Sequence, residues 1–184
     1  MSLFFVPKLN KKAKICFVEV RYVCHRAANA IITEVDPLRV STDALQVINQ
    51  FLDEFITLLL SSSQSLDLSR IKTTVLTFLP SALGKNAIVE AELQVKSYSE
   101  SAEAIDYEAY EKTRELDLEA LSKVSDRLRE ECVNYCTLAE KNHQNPRRPN
   151  LVSTTTERVA ISPIVTVYVT AIIEHVAEYI LTVS

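Results

Sequence analysis

The segment from Val40 to Glu100 decides the fold class of this chain: VSTDALQVINQFLDEFITLLLSSSQSLDLSRIKTTVLTFLPSALGKNAIVEAELQVKSYSE. Between Ala44 and Leu59, apolar residues recur at three- and four-residue steps, which predicts a long helix that is apolar over most of its circumference. A helix of about one turn ending at Pro80 and a last helix ending near Tyr98 should follow. We expect only a narrow stripe of the long helix to face water, formed by Asp43, Gln46, Asn49, Gln50, Asp53, Glu54 and Thr57.

The composition of the whole chain predicts an all-α protein. Its 184 residues are 47% hydrophobic and include one Gly, which provides for a buried core and disfavours tight hairpins. The net charge of −4 disfavours a protein that wraps DNA, because phosphate contacts require a local excess of Lys and Arg. Four cysteines in a helical chain of this length do not indicate a secreted disulfide framework, so an intracellular location is expected.

Three further segments extend this organisation. Ile15–Val35 has the spacing of a helix that ends before Asp36-Pro37, because the residue before a proline avoids the α region. Ala104–Lys141 is rich in charged residues, and its apolar positions have the spacing of a surface helix or a short coiled-coil seam. Ile161–Ile173 has the Val, Ile and Thr content of a strand, but Ser162-Pro163 and the length of the apolar stretch favour a helix.

Several short motifs of the first half resemble histone two-B. They are Ser41-Thr42-Asp43-Ala44, Ile48-Asn49-x-Phe51, Ser69–Val75 running into Leu79-Pro80, Leu83–Glu90 and Lys96–Ser99. In the last part, Glu157-Arg158-Val159 and Val167–Val176 are similar to the central helix of histone two-A, with two extra residues between them.

Together the two resemblances imply a tandem histone fold, an intramolecular two-A/two-B-like pseudo-dimer with a long helical insertion. The implied divisions are a basic arm (1–14), a two-B-like fold (15–100), a charged helical linker and loop (101–150) and a truncated two-A-like part (151–184). The N-terminal domain of the Ras exchange factor Son of sevenless has the same tandem arrangement. In that family the domain packs on catalytic and lipid-binding domains and contacts anionic lipid.

Two groups of charged residues are candidate sites. Cations that would contact anionic lipid or phosphate are Lys8, Lys11, Lys12, Lys14, Arg39, Arg147, Arg148 and Arg158. The resemblance assigns Glu90 and Glu174 to the carboxylate patch with which the nucleosomal dimer docks regulators, and Glu178 is a third candidate docking acid. Tyr179 and Thr182 stand where that family has two other acids.

The sequence contains no catalytic or cofactor-binding motif, so we expect a non-enzymatic module without a cofactor. Cys132, Cys136 and His143 have a spacing from which a metal site can be built, but small structural thiols are the expected role of the cysteines.

We expect an interaction or autoregulatory module of a larger signalling, cytoplasmic or membrane-peripheral protein. Its partners would be other domains of the same protein, a protein partner or an anionic membrane surface. The alternative is a nuclear, DNA-binding histone-fold subunit of a chromatin or transcription complex. The acidic net charge disfavours that alternative.

Overall fold

The computed structural model describes residues 21–35, 38–101, 107–115, 118–140 and 161–183. Within these ranges the regular structure is entirely helical, which confirms the all-α class. The helices are α1 (His25–Val35), α2 (Thr42–Ser63), α3 (Leu68–Phe78), α4 (Ser81–Ser101), α5 (Tyr107–Arg114), α6 (Leu118–Tyr135) and α7 (Pro163–Val183).

Local chemistry explains the limits of α2 and α3. Ser41 is the N-cap of α2, and its Oγ accepts a hydrogen bond of 3.2 Å from the Ala44 amide. Gln64 ends the helix in the left-handed conformation with φ 51°, and its amide donates to the Leu60 carbonyl. α3 has 11 residues, so the expected helix of about one turn was too short: no breaker interrupts the chain before Pro80.

The chain before α1 differs from the prediction of a helix over Ile15–Val35. Residues 21–24 are not helical and α1 begins at His25, while residues 15–20 lie outside the described part of the chain. The Val23 amide donates to Asn49 Oδ1 at 3.0 Å, and the Cys24 amide donates to the Leu138 carbonyl at 2.9 Å. These distant partners satisfy the backbone groups that a helix would otherwise have bonded internally.

The predicted charged helical segment forms two helices rather than one. α5 ends at Arg114, and α6 begins at Leu118 and ends at Tyr135. Val124, Leu128 and Cys132 of α6 are buried, as their spacing predicted. Beyond Tyr135 the chain leaves helical geometry, and this frees the carbonyl that accepts the Cys24 amide.

The helix α7 is the most buried element of the described residues. It begins at Pro163, as predicted, and Val165, Val169, Ile172 and Ile173 are each 0% exposed. It packs most extensively against α4, and it also contacts α6, α1, α2 and α5. Burial of apolar side chains on nearly every side outweighs the strand propensity of its Val, Ile and Thr residues.

Length and composition alone would let α7 cross a membrane, but 67% of its most apolar 18-residue window is buried inside the fold. The helix therefore has the burial of a core helix.

The faces of α2 differ from the sequence prediction. Asn49 belongs to the stripe expected to face water, yet it is 8% exposed. Conversely, the apolar residues Val47, Phe51 and Leu58 are 65%, 45% and 58% exposed. The apolar surface of α2 is wider than the surface that its neighbours cover, and the polar side is partly covered by residues 21–24 and by α6.

Candidate interaction site

The three predicted docking acids come from two helices. Glu90 lies on α4 and is half-buried, while Glu174 and Glu178 lie one turn apart on α7. Partial burial and then the neighbouring Glu174 carboxylate raise the pKa of Glu178; His175 opposes them, and the Glu90 and Glu34 carboxylates add smaller effects that raise the pKa. The structure therefore brings all three predicted acids together and adds Glu34 from α1.

Glu174 also has a structural role that the sequence did not indicate. Its Oε1 accepts hydrogen bonds from the amide of Thr137 and from Thr137 Oγ1, the second at 2.8 Å. This contact fixes the stretch that follows α6 against α7. Glu174 also borders a cavity of about 420 Å³ between α4, α6 and α7, whose lining includes Tyr98 and Tyr135.

Of the eight predicted cations, Arg39 lies within the described residues. Arg39 is exposed in the connection that precedes α2. The other seven cations lie outside the described residues: Lys8, Lys11, Lys12, Lys14, Arg147, Arg148 and Arg158. The structure therefore assembles the acidic set, whereas the cationic set stays a prediction.

A buried side chain that sequence reasoning had placed in water joins α2 to the chain before α1. Asn49 accepts the Val23 amide at 3.0 Å, and its Nδ2 donates to the Val23 carbonyl and to the Leu45 carbonyl, each at 3.0 Å. It thereby satisfies both backbone groups of a residue that is 1% exposed. An amide between apolar neighbours such as Leu45 and Leu52 is the sequence signal that could have indicated this role.

A second contact lies one turn further along α2. Asp53 Oδ1 accepts a hydrogen bond of 3.1 Å from the Tyr22 hydroxyl and lies 2.9 Å from Arg129 Nε of α6. Burial and then the Asp53 charge raise the pKa of Tyr22, so the phenol stays protonated. These groups join three parts of the chain that are distant in sequence.

The thiols of Cys132, in α6, and Cys136, just after it, are buried. Cys136 Sγ donates to the Tyr22 carbonyl at 3.1 Å. Burial raises the pKa of Cys132 to about 12, and burial together with the Glu174 carboxylate raises the pKa of Cys136 to about 12. Both values favour the neutral thiol rather than the thiolate that binds metals. Among the described residues, no cluster of three or more His, Cys, Asp or Glu side chains is arranged to hold a metal ion. His143 lies outside those residues.

A groove of about 1500 Å³ runs beside these contacts. It is lined by α2 between Thr42 and Leu58, by residues at the start of α1, by Arg129 of α6 and by Glu140. Arg21, the first described residue, also lines it. The groove combines apolar and charged side chains, as a binding surface for a peptide segment does.

Comparisons with known proteins do not assign this chain to a family: no family model matches, and neither the curated proteins nor the solved structures give a significant match.

Proposed function

We propose that this chain is a non-enzymatic, tandem histone-like interaction module in which a two-B-like half pairs with a two-A-like helix of the same polypeptide. The observation that carries the proposal is the burial of α7 within one chain, against α4 first and then against α6, α1 and α2. The helix order adds support. Helices of 11, 22 and 11 residues follow one another as in the short, long, short plan of a histone fold. The 21-residue helix α4 corresponds to the extra C-terminal helix of histone two-B.

In the proposed pairing, the main contact of α7 is with α4 and not with the long helix α2. α7 packs more extensively on α4 than on α2. The side of α4 that is buried contains Ala87 and Ala91, both 0% exposed, and small side chains let two helix axes approach closely. In this arrangement α4, α6, α1 and α2 together cover the apolar surface of α7. Tethering gives the paired parts an effective concentration of about millimolar.

The proposed activity is docking of another domain or a protein partner through the acid face formed by Glu34, Glu90, Glu174 and Glu178. The carboxylates lie close enough to one another to shift the pKa of Glu178, so this face attracts basic segments and repels phosphates. The basic arm with Lys11, Lys12 and Lys14 would add contact with an anionic membrane surface.

One titration tests the proposal against the DNA-binding alternative, and a second tests the membrane contact. Duplex DNA should not bind at low salt; tight binding that weakens steeply as salt increases would replace the proposal with a DNA-binding role. Vesicles that contain phosphatidylserine should bind the chain and should lose it when Lys11, Lys12 and Lys14 become Glu. Unchanged vesicle binding by that variant would remove the membrane contact from the proposal.

The acid face has its own test with a labelled hexa-arginine peptide. Replacing Glu90 and Glu178 with Lys should weaken binding about tenfold or more, because two attractive charges become repulsive. The double variant with Glu115→Lys and Glu130→Lys is the charge-matched control, since both residues are exposed, Glu115 after α5 and Glu130 on α6. Equal losses in the two variants would show that only net charge matters, and the docking face would then be wrong.

A further inference from the structure

We propose that the groove beside α2 is the docking site of the chain's own segment Ile15–Val20, which holds the basic arm against the helical body. The inference is independent of the histone resemblance. It is carried by the direction in which the chain approaches the groove, by the length of chain that precedes it and by the chemistry of the groove surface.

Two contacts show how the chain runs relative to α2. Asn29 Oδ1 of α1 accepts the amide of Val40, just before α2, at 3.0 Å. Six residues earlier, the backbone of Val23 pairs with Asn49 inside α2. The chain between Val23 and Asn29 therefore runs antiparallel to α2. Following it backwards leads toward the C-terminal end of that helix.

The next contact continues in the same direction. The Tyr22 hydroxyl reaches Asp53, one turn beyond Asn49 along α2. Arg21 precedes Tyr22 and lines the groove, whose α2 side continues through Thr57 to Leu58. Residues that precede Arg21 thus approach the groove on the side of Thr57 and Leu58.

The segment is long enough to cover this part of the groove. From Asp53 to Leu58, α2 rises about 7.5 Å, at about 1.5 Å per residue. Six residues can span up to about 20 Å, at about 3.3 Å each. The segment can therefore pass Leu58 and still leave the preceding lysines beyond the groove.

The chemistry of the two surfaces matches. Ile15–Val20 reads ICFVEV, in which aliphatic and aromatic residues predominate. Leu58 is an apolar groove residue that is 58% exposed, so contact with Phe17 or Val18 would remove apolar surface from water.

A cross-linking experiment on the full chain tests this assignment. In a Cys24→Ser background, Cys16 provides a thiol within the segment, and Cys132 and Cys136 are buried. Leu58→Cys places a second thiol at the groove, whereas Val89→Cys places one on an exposed position of α4. Both replaced residues are more than half exposed, so neither change disturbs the core. A short bismaleimide is added at low protein concentration, and cross-linked peptides are identified by mass spectrometry.

In the Leu58→Cys variant, Cys16 should be linked to the introduced thiol within monomers. The yield should exceed that of the corresponding link in the Val89→Cys variant about fivefold or more, because docking raises the local concentration of one thiol near the other. Adding Phe17→Asp to the Leu58→Cys variant should lower its yield to the level of the Val89→Cys variant.

Equal yields in the two variants, or cross-links only between two chains, would overturn the proposal. So would protection of the thiol at position 58 from a monofunctional maleimide without a link to Cys16, since another segment or partner would then occupy the groove. The cross-linking result does not depend on whether the chain binds DNA, so this inference and the proposed function can fail separately.

Discussion

Replacing Asn49 with Ala tests the contact that holds the chain before α1 on the long helix. The change removes the hydrogen bonds from Asn49 to the amide and carbonyl of Val23, a residue that is 1% exposed. A buried polar group left without a partner costs about 1–3 kcal/mol. Asn49 and Val23 both line the groove, so water that enters the space left by the side chain would offset part of this cost. We therefore expect the free energy of unfolding to fall by about 2–4 kcal/mol, near the lower end of the sum for two groups.

Urea unfolding followed by far-ultraviolet circular dichroism measures this loss. Native domains have about 5–15 kcal/mol of stability, so the variant should stay folded with a lower midpoint. Asn49→Leu separates the hydrogen bonds from the volume of the side chain, because Leu fills a similar space but leaves the Val23 groups unpaired. We expect it to lose at least about 1 kcal/mol, and hydrogen exchange at the Val23 amide should accelerate in both variants.

Gln50→Ala is the matched control on the same helix. The Gln50 side-chain amide donates to the neighbouring Glu54 carboxylate in exposed positions, so its loss should cost less than about 0.5 kcal/mol. An Asn49→Ala variant within about 0.5 kcal/mol of the parent, or an Asn49→Leu variant as stable as the parent, would refute the reasoning.

Three further predictions concern the Asp53–Arg129 pair, the two buried thiols and Glu178. In a double-mutant cycle with Asp53→Asn and Arg129→Met, urea unfolding should give a coupling energy of about 1–2 kcal/mol, since this pair is mostly shielded from water; additive losses would contradict a direct contact. The raised pKa values of Cys132 and Cys136, about 12 each, mean that ionisation favours the unfolded chain, so stability should fall as pH rises from about 9 to 12, by up to about 1.4 kcal/mol per pH unit for each thiol. Cys132→Ala and Cys136→Ala should each flatten that slope, and an unchanged slope would contradict burial of the thiol. Glu178→Gln should stabilise the chain at pH 7 but not at pH 3, because a raised pKa means that ionisation of Glu178 opposes folding; a gain of the same size at both pH values would contradict this origin.

Much of the helical structure could be predicted because its signals are local. Ser41 caps α2, Pro80 separates α3 from α4, and Pro163 begins α7. Each of these residues acts on a backbone group within a few positions in the sequence. Val124 and Leu128 also occupy the buried face that their spacing indicated.

The candidate site was predicted only in part. Glu90 and Glu174 were chosen from the histone resemblance and Glu178 as a third candidate, and the structure brings them together with Glu34. The contact between Glu174 and Thr137 joins positions 37 residues apart, so no local pattern could indicate it.

The sequence by itself determined the all-α class and some helix limits, such as the break at Pro80 and the start of α7 at Pro163, because prolines and apolar periodicity act over a few residues. Tertiary structure alone decided which faces are covered. Asn49 is buried against Val23, a partner 26 residues away in the sequence. Phe51 remains 45% exposed although the apolar spacing of α2 includes it. Periodicity shows how much apolar surface a helix has, but the neighbours that assemble around the helix select which part of that surface and which polar groups leave water.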